Sequence, residues 1–258
     1  MAHKKYFFFD IDGTLTDRAT GQIVPSAKTA LKKLSDAGHF VAINTGRAHY
    51  KARPFFEANG FTNMVCSGGH GLVIDGVLVA NPPLDYGAAK ALYNETIAAG
   101  YGVLVAEDDS IDVYAKDFTF IKQMGQRLEP TRYIIEAHYE PIRDIYKMYL
   151  ALPRGEEYRL PHLNHPALGH LRFDGDYMVI QPDEKRDGLL RMLDRVGGAP
   201  EDVVVFGDDT NDFDMFTPPF TRVAMGNAHP RLKAMADIIA PANVDDGIYR
   251  ICEAQGWF

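Results

Sequence analysis

Short apolar runs, each closed by charge or glycine, set the rhythm of this chain. Tyr6-Phe7-Phe8-Phe9 is apolar at every position and stops at Asp10, the pattern of a short strand buried on both faces. After Pro25, Ala27, Ala30, Leu31 and Leu34 recur at helical spacing, and Gly38 marks the end of that helix. Phe40-Val41-Ala42-Ile43 predicts a second strand, followed by the polar segment Asn44-Thr45-Gly46-Arg47. Residues 48–59 predict a helix closed by Gly60, and Met64-Val65-Cys66 a third strand. Strands alternating with helices at this spacing mean βαβ units and a parallel sheet.

The pattern changes after residue 70. Leu72-Val73-Ile74 and Val77-Leu78-Val79 flank Asp75-Gly76, a strong hairpin signal. Leu84 to Ala99 predicts a helix, Val103-Leu104-Val105 and Ile111 to Tyr114 predict strands, and Asp117 to Arg127 predicts a further helix. Asp144 to Leu152 alternates as a strand, and Leu171-Arg172-Phe173 and Tyr177 to Ile180 flank a turn at Asp174-Gly175. From Lys185 the first rhythm resumes: a helix to Val196, the apolar run Val203-Val204-Val205-Phe206, and a short helix from Asp212 to Phe216. Val223-Ala224-Met225, Arg231 to Ala236 and Ile238-Ile239 continue it. The fold class is therefore α/β. A Rossmann-like parallel-sheet core in residues 1–81 and 182–258 is interrupted by an inserted α+β domain in residues 82–181, with Asn81-Pro82-Pro83 and Pro182 as hinges.

Composition narrows the function. With 258 residues, 46% of them apolar, the chain can fold without a metal or disulfide, and disorder is excluded. Basic residues number 27 against 35 acidic, a net charge of -8, and no basic footprint of the kind nucleic acid requires is present. Cys66 and Cys252 imply no disulfide framework. Asp10 interrupts the N-terminal apolar run before it reaches signal-peptide length, and no stretch approaches 18 apolar residues. A cytoplasmic protein without a membrane partner is the default expectation.

Candidate chemistry sits where open parallel sheets bind ligands, at the C-terminal ends of strands. The first run delivers Asp10 and Asp12, the second Thr45, Gly46 and Arg47, and the late one Asp208, Asp209, Asn211 and Asp212. Aspartates also cap helices and favour turns, which accounts for any one of them but poorly for the set. Several carboxylates in one cleft need a cation to absorb their repulsion. Oxygen ligands without histidine or cysteine favour a hard ion, Mg2+, and that ion in turn suits a phosphate substrate.

The same segments resemble the haloacid dehalogenase superfamily, in the group of Cof-type sugar-phosphate phosphatases with a large inserted cap. FFFDIDGTLTD is similar to that family's DxDGT motif, NTGR to its second motif, and GDDTNDFDMF to its GDxxND motif; VAMGNAHPRLKAMADIIAPANVDDGI resembles the family's tail beyond that motif. The resemblance implies that Asp10 is a nucleophile that becomes an aspartyl-phosphate. It makes Asp12 the general acid-base and its backbone carbonyl a metal ligand, with Asp208 completing the metal set and Asp212 a nearby or water-mediated ligand. Thr14, Thr45, Gly46 and Asn211 would bind phosphate, while Arg47 would either grip substrate or begin a surface helix. Asp209 falls at a variable position. The family's lysine matches Lys185, with Arg186 as the competing cation in the place of a glycine. Gly68 stands where relatives often have the asparagine of Asn-Gly.

The resemblance implies a magnesium-dependent phosphomonoester hydrolase acting on a small phosphorylated metabolite, a sugar or polyol phosphate, as a monomer or weak homodimer. A phosphotransferase or phosphomutase, or a phosphate-metabolite binder that has lost turnover, are the alternatives. In the inserted domain His162, His165, His170 and Tyr177 are candidate leaving-group contacts, with loop histidines the plainer reading; Met124 and Met148 are core filler.

Overall fold

The computed structural model describes residues 3–172 and 177–258. It divides into two compact units: residues up to Arg47 with Ala52–Ala80 and Glu184–Phe258, and Ala48–Lys51 with Asn81–Asp183.

The first unit starts with β1 (Tyr6–Phe9), α1 (Pro25–Asp36), β2 (Phe40–Asn44), α2 (His49–Ala58, whose residues up to Lys51 group with the second unit) and β3 (Met64–Cys66), followed by the hairpin β4 (Gly71–Ile74) and β5 (Val77–Ala80). Pro25 at the start of α1 needs no N–H partner there, and Ala27, Ala30, Leu31 and Leu34 form the buried stripe that the periodicity predicts. The second unit contributes α3 (Tyr86–Ala98), β6 (Val103–Ala106), β7 (Asp112–Ala115), α4 (Thr119–Met124), β8 (Arg132–Ile135), β9 (Lys147–Leu150), β10 (His170–Leu171) and β11 (Met178–Ile180). The chain then completes the first unit with α5 (Lys185–Val196), β12 (Val203–Gly207), β13 (Thr221–Ala224), α6 (Pro230–Met235), β14 (Ile238–Ile239) and α7 (Gly247–Ala254).

The first unit's sheet runs β14-β13-β12-β1-β2-β3-β4-β5. It is parallel from β14 to β3, and its last two strands are antiparallel. Strand β1 lies between β2 and β12, so the chain leaves it in opposite directions along the sheet, which makes the end of β1 the switch point. Phe7, Phe8 and Phe9 are wholly buried, and Phe9 stacks on Phe206 of β12 with ring centroids 4.6 Å apart. Each buried phenyl contributes roughly 2–3 kcal/mol of transfer free energy, so the register Phe9↔Phe206 is firmly held.

The second unit's sheet runs β10-β11-β9-β6-β7-β8. Val105, Met148, Leu150 and Ile180 belong to one apolar cluster with Leu92 of α3. Leu104, Val113, Tyr149 and Val179 belong to another with Phe120 of α4.

Differences from the sequence patterns are local. The helix expected over Asp117 to Arg127 is confined to α4, because Gly125 takes a φ of 79° and ends it. The segment from Asp212 to Phe216 is a 3-10 turn, Thr210–Met215, instead of an α-helix. Strand β8 and helix α7 are additional elements. The turn at Asp174-Gly175 lies outside the described residues, while the flanking strands β10 and β11 pair antiparallel. Cys66 and Cys252 are both buried. Among the described residues, no helix is long and apolar enough to cross a membrane.

Candidate active site

The Phe9↔Phe206 register decides where the first residues beyond both strands emerge. The Asp10 N–H donates to the Phe206 carbonyl at 3.1 Å, and Asp208 comes two residues after that carbonyl. Two acids nearly two hundred positions apart are thereby brought to adjacent strand ends. With Asp212 they form a buried trio whose carboxylate oxygens lie within 4.8 Å of one another.

Lys185 completes this group. It is the first residue of α5 and 1% exposed; its Nζ donates to Asp10 Oδ1 at 2.7 Å and to Asp212 Oδ1 at 2.6 Å. Asn44, at the end of β2, holds the start of α5 by donating from Nδ2 to the Lys185 carbonyl at 3.1 Å. Arg186 turns elsewhere: its N–H bonds Asp214 at 2.8 Å and its Nε bonds Thr217 Oγ1 at 3.1 Å. Neighbouring residues of a helix point about 100° apart, so the two cations meet different partners.

The other oxygen of Asp212 accepts from the N–H groups of Asp208 at 2.9 Å and Asp209 at 3.2 Å. Asp209 itself caps the 3-10 turn by accepting from the Thr210 N–H at 2.7 Å. Asp208 accepts from Thr14 Oγ1 at 3.1 Å and from Arg18 Nη2 at 2.8 Å. Gly13 makes this approach possible: its φ is 92°, and a Cβ there would collide with the Asp208 carboxylate. Asn227 fixes the same turn by donating to the Gly13 carbonyl at 2.8 Å.

Thr45 is buried and its Oγ1 accepts from the Arg47 N–H at 3.1 Å. Arg47 clasps Asp12 at two points, Nη2 to Oδ1 at 2.5 Å and Nε to Oδ2 at 2.9 Å. The Asp12 carboxylate therefore engages Arg47 and is not part of the buried trio. Asn211 is half-buried beside these groups in sequence. Gly68, with φ 62°, accepts at its carbonyl from the Glu184 N–H at 2.7 Å, just before Lys185.

Arg18, Asn44 and Asn227 were not legible as site residues. Asn44 and Asn227 act through backbone carbonyls, which no side-chain motif advertises. Arg18 had a faint signal as the one basic residue in the turn after DIDGTLTD.

The electrostatics reflect this crowding. Burial raises the Asp10 pKa, Lys185 opposes that, and Asp212 and Asp208 add to it. Burial and the Asp212 charge push Asp208 up to about 6, against Arg18 and Thr14. Burial works against the Lys185 ammonium, but Asp10 and Asp212 outweigh it and raise its pKa. Three buried carboxylates against two cations, Lys185 and the more exposed Arg18, leave negative charge uncompensated, and the donors are all oxygen. This set fits a hard divalent cation held by Asp10, Asp208 and Asp212.

Two predictions arise here. Without metal, the raised Asp208 pKa means that the folded state binds more protons than the unfolded chain between about pH 4 and pH 6, so that contribution to stability falls as pH rises through the window. A divalent cation binds the ionised form. Its increment in Tm, measured by differential scanning fluorimetry with magnesium or EDTA, should be larger near pH 7.5 than near pH 5; an equal increment at both would contradict the assignment. Arg18 is the second case. It holds the Asp208 oxygen that a cation would share, so Arg18→Ala should tighten magnesium binding by about 3- to 10-fold in calorimetric titration, as expected for removal of a partly exposed charge about 1 kcal/mol in weight. Unchanged or weaker binding would show that Arg18 supports the ion instead.

In the second unit, the candidate histidines make local contacts. His162 Nδ1 pairs with Glu95 at 2.5 Å and its ring stacks on His165, whose Nδ1 accepts from the Ala167 N–H at 3.2 Å. His170 Nε2 contacts Asn164 Oδ1 at 3.0 Å. Among the described residues, only the Asp10, Asp208 and Asp212 group has the spacing of a metal site. Tyr177 packs edge-on to Tyr149, with centroids 6.0 Å apart. Met148 is buried core, and Met124 packs on the Tyr149 cluster.

Known proteins resemble this chain over nearly its whole length. The family model described as haloacid dehalogenase-like hydrolase matches residues 7–251. The pyridoxal phosphate phosphatase YbhA of Escherichia coli is 27% identical, with 93% of this chain and 94% of that protein covered. A Streptococcus pyogenes protein named for phosphatase and peptidyl-prolyl cis-trans isomerase activities is 28% identical over 98% of this chain, which spans only 54% of that relative's length. Among solved structures, a hypothetical protein of Geobacillus kaustophilus superposes with a TM-score of 0.82 at 27% identity, covering 99% of this chain and all of that one.

Proposed function

The chain belongs to the haloacid dehalogenase-like hydrolases, and on that basis we propose that it is a Cof-type, magnesium-dependent phosphomonoesterase acting on a small phosphorylated metabolite in the cytoplasm. The observation that carries this reading is the Asp10 carboxylate, 2.7 Å from Lys185 Nζ and within 4.8 Å of oxygens of Asp208 and Asp212.

Asp10 is the nucleophile. Lys185 holds its carboxylate in place and lets an anionic ester approach a site rich in negative charge. Bound by Asp10, Asp208 and Asp212, a magnesium ion would neutralise charge on the phosphoryl oxygens. Asp10 attacks phosphorus, the ester oxygen leaves with a proton from Asp12, and an aspartyl-phosphate forms. Asp12 then takes a proton from water as that water attacks phosphorus, which frees Asp10 and inorganic phosphate. Arg47 sets the orientation of Asp12 through its two-point clasp. Thr14, Thr45, Gly46 and Asn211 bind the phosphoryl oxygens.

A sugar or polyol phosphate is the substrate class we favour, and the similarity to a pyridoxal phosphate phosphatase adds that ester to the candidates. The test is a phosphate-release screen over hexose, pentose, polyol, pyridoxal and nucleotide monophosphates, with magnesium or EDTA. Release that requires magnesium supports the reading; no release from any ester would reject it. Assays with a competing alcohol separate hydrolysis from transfer, because transfer yields a new ester.

A further inference from the structure

The segment from Val223 to Ile248 lies wholly in the first unit, and none of its side chains enters the chemistry assigned to Asp10 and Asp12. Its backbone is fastened to the end of β12. The Met225 N–H donates to the Gly207 carbonyl at 3.1 Å, and the His229 N–H to the Asp208 carbonyl at 2.7 Å. Gly226 ties the segment to its own later part through its N–H on the Pro241 carbonyl at 3.1 Å, and a Cβ there would meet the Ala242 nitrogen at 2.5 Å.

Two asparagines reach from this brace to the turn after β1. Asn227 donates from Nδ2 to the Gly13 carbonyl at 2.8 Å, while its Oδ1 accepts from the Asn243 N–H at 3.1 Å. Asn243 is buried and donates from Nδ2 to the Thr16 carbonyl at 2.7 Å. The turn is therefore gripped at two carbonyls by side chains that also grip each other.

Asp12 is tied to both of those points, to Gly13 by the chain and to Thr16 by a backbone bridge. Within the turn, the N–H groups of Leu15 and Thr16 both donate to the Ile11 carbonyl, at 3.1 and 2.9 Å. Such internal bonds set the shape of the turn but not its place relative to Asp208. Gly13 adds no side chain that could lock it. The Asp12 side chain is 58% exposed and clasped by Arg47. Arg47 thus holds the tip of that side chain, and the asparagines hold the backbone from which it springs.

We infer that Asn227 and Asn243 are positioning residues, which fix the Asp12 turn against the end of β12 and so place the Asp12 carboxyl for proton transfer to the leaving oxygen. The inference rests on the phosphatase reading, with Asp12 as its acid. A shift of about 1 Å at a reacting group can cost about a hundredfold in rate. Asn227 is exposed, so its replacement leaves the apolar core intact and the loss falls on turnover.

The test compares wild type, Asn227→Ala and Asn227→Asp with magnesium present. For each, kcat/KM is measured for glycerol 3-phosphate, or the alkyl ester cleaved fastest in the screen, and for p-nitrophenyl phosphate. An alkoxide must take a proton as it leaves, whereas nitrophenolate needs none. Aspartate keeps the shape of asparagine and the acceptor for the Asn243 N–H, but offers no donor to the Gly13 carbonyl. Both variants should lose about thirtyfold on the alkyl ester and less than about threefold on p-nitrophenyl phosphate. Hydrogen exchange over residues 11–16, read by mass spectrometry, should quicken about tenfold in both. Equal losses on the two esters, or no loss on either, would overturn the inference. A wild type that cleaves neither ester would defeat the phosphatase reading; exchange would then judge the anchors alone, and unchanged exchange would overturn them. Should neither variant fold, Asn243→Ser is judged by the same readouts.

Discussion

Asp10→Asn is expected to lower phosphate release by about four orders of magnitude or more while leaving the protein folded. Asparagine has the shape of aspartate, and its amide oxygen can still accept from Lys185 at the end of β1. It cannot act as the attacking carboxylate. The fold should tolerate the change well, because burial and two neighbouring acids already disfavour charge on Asp10. The metal-free variant should therefore unfold at or above the wild-type Tm, whereas its response to magnesium should shrink as one oxygen donor is lost. Turnover and Tm thus move independently. Turnover near the wild-type level would remove Asp10 from the nucleophile role, and a collapse of Tm would mean that the loss of activity reports unfolding.

Much of this site is legible in the sequence, because its acids terminate unusually apolar strands. Phe7-Phe8-Phe9 and Val203 to Phe206 leave little doubt about burial, so the first charged residues after them must emerge at the sheet's end. What periodicity could not supply was the strand order. That Asp10 and Asp208 are neighbours depends on β12 lying beside β1, and it was the motif resemblance that suggested it. The hairpin β4–β5 was legible from Asp75-Gly76 because the turn requires a left-handed backbone, which both residues adopt.

The missing pieces share a cause. Arg18, Asn44 and Asn227 contribute through loop conformations fixed by distant strands, and short-range pattern carries no record of those. Strand β8, Arg132–Ile135, is an edge strand of four residues, too short for alternation to stand out. Lys185 shows the opposite case. A cation at the first position of a helix opposes the helix dipole, so local preference argues against it, and the two carboxylates explain why it is there.

That placement leads to the other large effect, for Lys185→Met. Methionine matches the volume of the lysine stem but leaves Asp10 and Asp212 buried with no shared cation. Removing one member of a buried ion pair typically costs about 3–5 kcal/mol, and here a single ammonium serves two partners at 2.6 and 2.7 Å. Urea denaturation without metal should show a loss of that order, partly recovered when magnesium takes over some of the charge. Activity should fall about a hundredfold or more even with magnesium present, since the ion cannot reproduce a donor fixed to one oxygen of the nucleophile. Arg186→Ala is the internal control, because its side chain reaches Thr217 and not the acids. It should leave kcat within about threefold of wild type, as expected for a residue outside the reacting group. A larger loss from Arg186→Ala than from Lys185→Met would reverse the assignment of the two cations. Full recovery of both stability and turnover by magnesium in Lys185→Met would reduce the lysine to a placeholder for the metal.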